Sequence, residues 1–350
     1  MQNFYKDKKV LVTGHTGFKG SWLCTILKKF GAEVTGYSME PCTRPSLFEL
    51  ADVSEGMVSV MGDIRDLEHL KKVFEDYQPE IVFHLAAQPI VRESYKNPVY
   101  TYSANVMGVV NIMECIRLSS SVKSFLNVTT DKVYKNNNWE WGYRENDILD
   151  GYDPYSNSKS CSELVTAAYV RSYRQDITTR ISTARAGNVI GGGDFSKDRI
   201  IPDCFRAVSN GESIIVRNKY SIRPYQHVLE SLFAYMLIVM KQYNDGKLQD
   251  CYNVGPDDGN YITTGGIVDR FCQLWGNNAD WKGIFNEGPH EDIYLKLDCS
   301  KIKRRLKWQP VWNIDKALEK VVEWYQGYFK GKSVKDIMEH QISEFIFYKD

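Results

Sequence analysis

The sequence predicts an α/β protein, a doubly wound parallel sheet with helices on both faces and a smaller mixed α/β lobe beside it. Three observations predict it. Short β-branched runs alternate with amphipathic stretches over the first two-thirds of the 350 residues, the pattern of strand–helix–strand units whose parallel sheet needs cover on both sides. A glycine-rich turn follows the first of these runs. After about residue 188 the alternation loosens into shorter, irregular pieces.

Taken in order, residues 9–13 (Lys-Val-Leu-Val-Thr) read as the first strand, with a helix beginning near Phe18. Further strands are read at 34–37, 58–61, 81–86, 124–129 and 178–185. Residues 98–118 place Val106, Val109, Val110, Met113 and Ile116 at helical spacing beside polar Asn111 and Glu114, and so predict one helix. Beyond it come a turn at Gly191-Gly192-Gly193-Asp194, a helix over 200–208 and a strand over 214–216. The apolar stretch 229–240 predicts a long helix, and 252–254 a strand that returns to the main sheet. Residues 314–329 repeat the amphipathic pattern, and 333–350 read as either a docked helix or a frayed end. The chain therefore divides into a sheet-bearing part, 1–188 plus about 226–258, and a lobe built from about 189–225 plus 259–350.

Composition excludes several classes of function. Forty-four basic residues balance 44 acidic ones, so there is no global positive field to condense on a nucleic acid, and no nucleic-acid partner is expected. With 43% hydrophobic and 13% aromatic residues the chain can bury a real core. No run approaches the roughly 18 apolar residues of a membrane span, and the first nine residues lack the apolar centre of a signal peptide. No membrane partner is expected, and the chain is placed in the cytoplasm. The eight cysteines are scattered, with no Cys-x-x-Cys, and the six histidines show no paired spacing. No disulfide framework and no metal are expected.

The first strand runs into Gly14-His15-Thr16-Gly17-Phe18-Lys19-Gly20. Gly14 permits a tight turn, Gly17 lets backbone approach a pyrophosphate, and Gly20 allows close helix–strand packing, while the helix N-terminus supplies N–H groups and positive dipole. This is the logic of a Rossmann dinucleotide site. About 20 residues on, where an acidic residue ordinarily holds the adenosine ribose, the second strand ends Gly36-Tyr37-Ser38-Met39-Glu40 with no Asp. Ser38 or Glu40 can substitute. No arginine stands there for a 2′-phosphate, so NAD is expected over NADP, held more loosely than where the acid is present.

A Tyr-x-x-x-Lys pair puts a phenol and an ammonium on one helix face. Four such pairs occur, so the spacing alone means little. Only Tyr155/Lys159 opens a predicted helix after the fifth strand, with Thr130-Asp131 some 25 residues upstream. To deprotonate an alcohol, a phenol of reference pKa ~10 must be brought towards ~7, and a fixed ammonium can do this. Lys159 is expected to lower Tyr155, the general base. Thr129-Thr130-Asp131-Lys132 falls at the C-terminal edge of a strand, where such sheets present their ligands.

The Gly14-x-x-Gly17-x-x-Gly20 spacing resembles the extended short-chain dehydrogenases/reductases. His84-Leu85-Ala86-Ala87-Gln88, Asn105, Thr130-Asp131-Lys132-Val133-Tyr134, Tyr155/Lys159 and Arg185-Ala186-Gly187-Asn188 follow in order, and with them the chain resembles the nucleotide-sugar 4,6-dehydratases. Relatives acting on dTDP-glucose or GDP-mannose carry Glu where Lys132 stands, whereas the branch acting on CDP-glucose shares the lysine. CDP-glucose is therefore the nucleotide sugar that the resemblance favours.

The resemblance implies that Gly14, Gly17, Phe18, Gly20, Asp63, Ile64, Ala86, Ala87, Gln88, Asn105, Thr129, Tyr155 and Lys159 hold NAD. By pattern alone Asp63 reads equally as a turn or a cap before Leu67. It also implies that Gln88, Asn188, Arg199 and Arg223 contact the substrate; without it the two arginines read as surface charges, and His227 reads as a structural residue. In the implied reaction Tyr155 takes the C4 hydroxyl proton as hydride passes to NAD, Thr130 bonds the C4 oxygen, and Asp131 protonates the departing C6 hydroxyl. Lys132 is either the C5 base, which requires a neutral amine, or a cation facing the enolate. A homodimer through helices at 102–118 and 156–173 is implied as well. The alternatives are dehydration of another nucleotide sugar and a scaffold that binds the dinucleotide without turnover.

Overall fold

A computed structural model describes residues 1–284 and 294–349. Seven parallel strands form the central sheet. In chain order the first six are β1 (Lys9–Thr13), β2 (Glu33–Ser38), β3 (Val58–Met61), β4 (Ile81–His84), β5 (Ser124–Val128) and β6 (Arg180–Ala186); the seventh is Cys251–Val254. Across the sheet the order is Cys251–Val254, β6, β5, β4, β1, β2, β3. The strand order reverses between β1 and β4, which pair as Val10–Ile81 through Thr13–His84, and a crevice opens beyond the strand ends at such a point. β4 and β5 are buried along their whole length, as a sheet covered on both faces requires. One apolar core lies on each face, one around Leu11, Phe74, Ile112 and Phe125, the other around Trp22, Leu126, Leu232 and Trp324.

The helices that frame the crevice are set by local sequence. Phe18–Lys29 starts at Gly17, in extended backbone with no capping side chain, and ends on Lys28 and Lys29, whose charges suit the negative end of the dipole. Pro154–Ser172 has Pro154 in its first turn and Asp153 as N-cap, accepting from the Ser156 amide at 3.0 Å. The single helix expected over 98–118 is Pro98–Tyr102, one π-helical turn at Ser103–Met107, then Gly108–Leu118. The π turn carries Asn105, whose amide bonds inward to Gln88 and Ser158; a hydrophobic period does not encode such a one-residue insertion.

Beyond β6 the described residues form three two-stranded ribbons: Val189–Ile190 with Gln226–His227, Ile222–Arg223 with Ile262–Thr263, and Ile214–Val216 with Trp281–Gly283. The apolar stretch expected at 229–240 lies within the buried helix Val228–Asn244. Cys251–Val254 rejoins the sheet beside β6, Cys251 opposite Thr183. The choice left open at the C-terminus resolves to a docked helix, Val334–Lys349, which buries Val334, Met338, Ile342 and Phe345; Asp350 lies outside the described residues.

Candidate active site

The glycine turn sits where β1 and β4 part. Gly14 has φ +76°, and a Cβ there would come within 2.8 Å of the Ala86 nitrogen. A Cβ at Gly20 would stand 2.1 Å from the Gly14 carbonyl, so the helix can lie against the turn only with glycine there. At Gly17 a Cβ would meet only the Gly14 oxygen, at 3.4 Å, which leaves the other side of the turn open to a ligand. A bare helix start above two glycines that tolerate no side chain fits a dinucleotide pyrophosphate. Phe18, half-buried, begins that helix.

The remaining expected cofactor residues surround this turn. Asp63 takes a bidentate ion pair from Arg65 and accepts its amide at 2.9 Å, while the cap before Leu67 is Asp66. Asp63 thus makes the turn and not the cap. Ile64 is buried against Gly108. The Ala86 amide donates to Thr13 Oγ1, and Ala87 is half-buried just after it. Ser38, at the end of β2, bonds Thr16 across 2.9 Å, and Glu40 is exposed.

Gln88 and Asn105, also expected at the cofactor, are tied into the protein. Gln88 donates to Thr101 and accepts from the Ile90 amide, and Asn105 clasps both backbone groups of Gln88 and reaches Ser158. Their polar atoms brace the loop after β4 against two helices.

Of the residues expected to do chemistry, Thr130, Asp131, Lys132 and Tyr155 meet in one cleft of about 310 Å³, lined also by Asn188, Arg199 and Arg223, whereas Lys159 lies behind its lining. Thr130 Oγ1 bonds Asp131 Oδ1 at 3.0 Å, and Asp131 Oδ2 is buried with no protein hydrogen-bond partner. Burial raises the Asp131 carboxyl, against the pull of Lys132, Thr130, Arg223 and Lys19. A carboxyl in that condition keeps its proton more readily than an exposed one and has an oxygen free to hand it over.

Burial pushes the Tyr155 phenol up to about 12, opposed by the Thr130 hydroxyl and Arg199. In the protein alone Lys159 is not among the groups that act most on the phenol. Lys159 Nζ turns to the Val128 carbonyl at 3.2 Å, and burial brings the amine itself down to about 8, with Glu163 acting in the opposite sense. Among the cations, Arg199, in the other half of the chain, acts on the phenol most.

Below these groups lies a buried polar floor. Glu163, one turn beyond Lys159, accepts from Thr129 Oγ1 at 2.5 Å, Thr183 Oγ1 at 2.8 Å and Arg185 Nη2 at 2.9 Å. Arg185 continues to the Tyr134 hydroxyl, and Tyr134 to Asn253 on the seventh strand. The backbone next to Thr130 and Asp131 is thus tied to β6 and to the helix carrying Tyr155.

On the far wall, the Asn188 carbonyl accepts from the Gln226 amide at 3.0 Å, and Arg199 pairs with Asp194 at 2.9 Å. Arg223 is buried and donates to the Ile222 carbonyl. Neither arginine is a plain surface charge. His227 Nδ1 accepts the Leu229 amide and caps the long apolar helix, a structural task.

Three cleft residues escaped the sequence reading. Lys19 is desolvated between Arg199 and Lys159 and falls to about 7; on a helix one turn past glycines it reads as an ordinary solvated lysine, and only its place inside the glycine motif signalled otherwise. Arg92 and Arg217 are also in the cleft lining; Arg92 sits in the Val91-Arg92-Glu93-Ser94-Tyr95 phrase shared with the resembled family but without an assigned role, and Arg217 carries no motif. Among the described residues no group of three or more His, Cys, Asp or Glu could hold a metal ion, and no helix is long and apolar enough to cross a membrane.

A parallel sheet with a glycine turn at its switch point, and a tyrosine and an acid facing a cleft beyond it, defines a Rossmann-type enzyme of the extended short-chain dehydrogenase/reductase kind. The model of the family described as GDP-mannose 4,6 dehydratase matches residues 11–321, and the chain belongs to that family. The chain is 46% identical to the CDP-glucose 4,6-dehydratase of Salmonella typhimurium, over 99% of this chain and 98% of that one. It is 27% identical to the dTDP-glucose 4,6-dehydratase of Haemophilus influenzae, over 90% and 97%. Among solved structures, a dTDP-glucose 4,6-dehydratase of Streptomyces venezuelae with NAD and TYD bound superposes with TM-score 0.80 at 24% identity, covering 92% of this chain and 98% of that one; this likeness carries the fold.

Proposed function

We propose that the chain removes water from a nucleotide hexose, converting CDP-D-glucose to CDP-4-dehydro-6-deoxy-D-glucose with NAD as resident cofactor. The observation that carries the reading is the buried, unpartnered Asp131 oxygen beside Thr130, in one cleft with Tyr155. The sequence likeness to the Salmonella enzyme favours CDP-glucose. The 1–188 and 226–258 segments form the dinucleotide part, and 189–225 with 259–350 the lobe that takes the nucleotide sugar.

Gly14, Gly17 and Gly20 would seat the dinucleotide, with Lys159 near its nicotinamide end. When bound, NAD supplies a reversible store for hydride, drawn from C4 and returned to C6. Tyr155 accepts the C4 hydroxyl proton, for which its phenol must first be lowered from the value the protein alone gives it. Thr130 donates a hydrogen bond to the C4 oxygen and favours the negative charge that gathers there as C5–H is lost. Asp131 gives its proton to the C6 hydroxyl, which leaves as water. Lys132, on the same strand end, faces the C5 step either as a neutral base or as a counter-charge. Asn188, Arg199 and Arg223 take the diphosphate, guanidinium forks being well matched to phosphate oxygens.

The test is a panel of CDP-, dTDP- and GDP-hexoses with added NAD, read by the absorbance of the 4-keto product in alkali. Product from CDP-glucose is expected; product from another nucleotide alone moves the substrate assignment, and none from any hexose leaves a binding scaffold. Asp131→Asn is expected to retain NAD binding while turnover falls by roughly 10²–10³, and unchanged turnover removes Asp131 from the acid role.

The exposed side chains of Met107, Leu118 and Leu164, on the helices expected to pair, support a homodimer. The eight free cysteines suit a reducing compartment, the cytoplasm.

A further inference from the structure

Two arginines that the reaction scheme leaves unused converge on one carboxylate at the cleft. Arg92 comes from the short helix Val91–Lys96, just beyond β4, and Arg217 follows the strand Ile214–Val216. Asp198 Oδ1 accepts from both Nη1 and Nη2 of Arg217 at 3.0 Å and lies 3.6 Å from Arg92 Nε. All three side chains line the cleft and are about one-third exposed. Asp198 has φ +60°, a left-handed backbone that few residues other than Gly, Asn and Asp adopt. It lies on the same short segment as Asp194, which holds Arg199. Each carboxylate on this segment thus neutralises a guanidinium that faces the cleft. Guanidinium groups arriving from two walls onto a single oxygen make an arrangement that suits a phosphate oxygen equally well.

We propose that Asp198 is a built-in stand-in for phosphate, holding Arg92 and Arg217 until the diphosphate of the nucleotide sugar displaces it. The inference rests on the nucleotide-sugar reading above. Arg217 keeps a second carboxylate, Asp203, at 3.8 Å, so it stays in place when Asp198 leaves. Arg92 has no other ion pair among the described residues, so its charge becomes wholly available to the ligand. Asp198 therefore competes with substrate and sets its affinity below what the arginines alone provide, while keeping the cleft free of cellular anions too weak to compete.

The experiment compares the full-length protein with Asp198→Asn and Asp198→Gly by titration calorimetry, using CDP and inorganic pyrophosphate as probes and NAD as control. Glycine also relieves the left-handed backbone, so a folded variant is obtained even if asparagine is poorly tolerated. CDP is expected to bind about fivefold tighter to either variant, the scale of one partly exposed ion pair, with a steeper salt dependence and NAD affinity unchanged. Adding Arg92→Gln to Asp198→Asn is expected to abolish the gain. CDP affinity that is unchanged or weaker in both variants overturns the competition, as does equal tightening of NAD. Failure of CDP to bind even the unaltered protein overturns the nucleotide-sugar reading and this proposal with it, which separates the two failures.

Discussion

The floor and the rim of the cleft use the same chemistry, carboxylate against guanidinium, to opposite ends. On the floor Glu163 and Arg185 are 3% and 4% exposed, and Glu163 accepts from Thr129, Thr183 and Arg185 together. On the rim Asp198 and Arg217 are 32% and 31% exposed, with Arg92 only 3.6 Å away. Burial decides what such a pair is for. A buried pair cannot lose one member without stranding the other charge in low dielectric, so it fixes geometry. A half-exposed pair gains little over solvated ions, so a better anion can take it apart.

The largest expected effect tests the floor. Glu163→Ala strands Arg185 and should lower unfolding free energy by about 3–5 kcal/mol, read from urea midpoints. A loss below about 1 kcal/mol would mean that the floor is held by packing and not by the pair.

The next prediction concerns pH. Lys159 is brought down to about 8, against ~10.4 in an unfolded chain. Below about pH 8 both states carry the proton and the native state bears the full cost of burying the charge. Between about 8 and 10 the native state sheds the proton while the unfolded state keeps it, so stability rises with pH, by roughly 1 kcal/mol from 7.5 to 9. Lys159→Met should flatten that rise in urea titrations at the two pH values. Lys19, at about 7, contributes in the same direction at slightly lower pH.

The smallest stability change belongs to the rim. Arg217→Gln should alter unfolding free energy by no more than about 1 kcal/mol while weakening CDP binding by about tenfold. A stability loss as large as that of Glu163→Ala would erase the distinction between rim and floor.

What the sequence disclosed follows the same division. β1 and β3 are legible to the residue, β1 because a run buried on both faces leaves an apolar signal bounded by turns, and β3, an edge strand with Val58 and Met61 exposed, because its valines alternate with a polar residue between turns. The glycine turn is legible because its constraint is backbone geometry, which only glycine meets. The other residues spoke less clearly because their meaning depends on what the chain brings near them. Lys19 and Arg92 look solvated in sequence and face the cleft in three dimensions. Tyr155 and Lys159 have the expected spacing, yet burial, Thr130 and Arg199 act on the phenol in the protein alone, and none of these is written in the four-residue interval. Gln88 and Asn105 sit in the expected motif while their hydrogen bonds brace the loop. The π turn at Ser103–Met107 left no trace in the hydrophobic period.

The return of Cys251–Val254 to the side of β6 bears on how the molecule is made. Until the ribosome has supplied those residues, β6 stands as a bare border strand with unpaired amides and carbonyls, ready to pair with any neighbouring nascent chain. At roughly 5–20 residues per second that interval lasts several seconds, and over it Asn253 is not yet there to receive the Tyr134 hydroxyl. A product truncated between residues 187 and 250 would keep the glycine turn and the Tyr155 helix and still be expected to aggregate rather than bind.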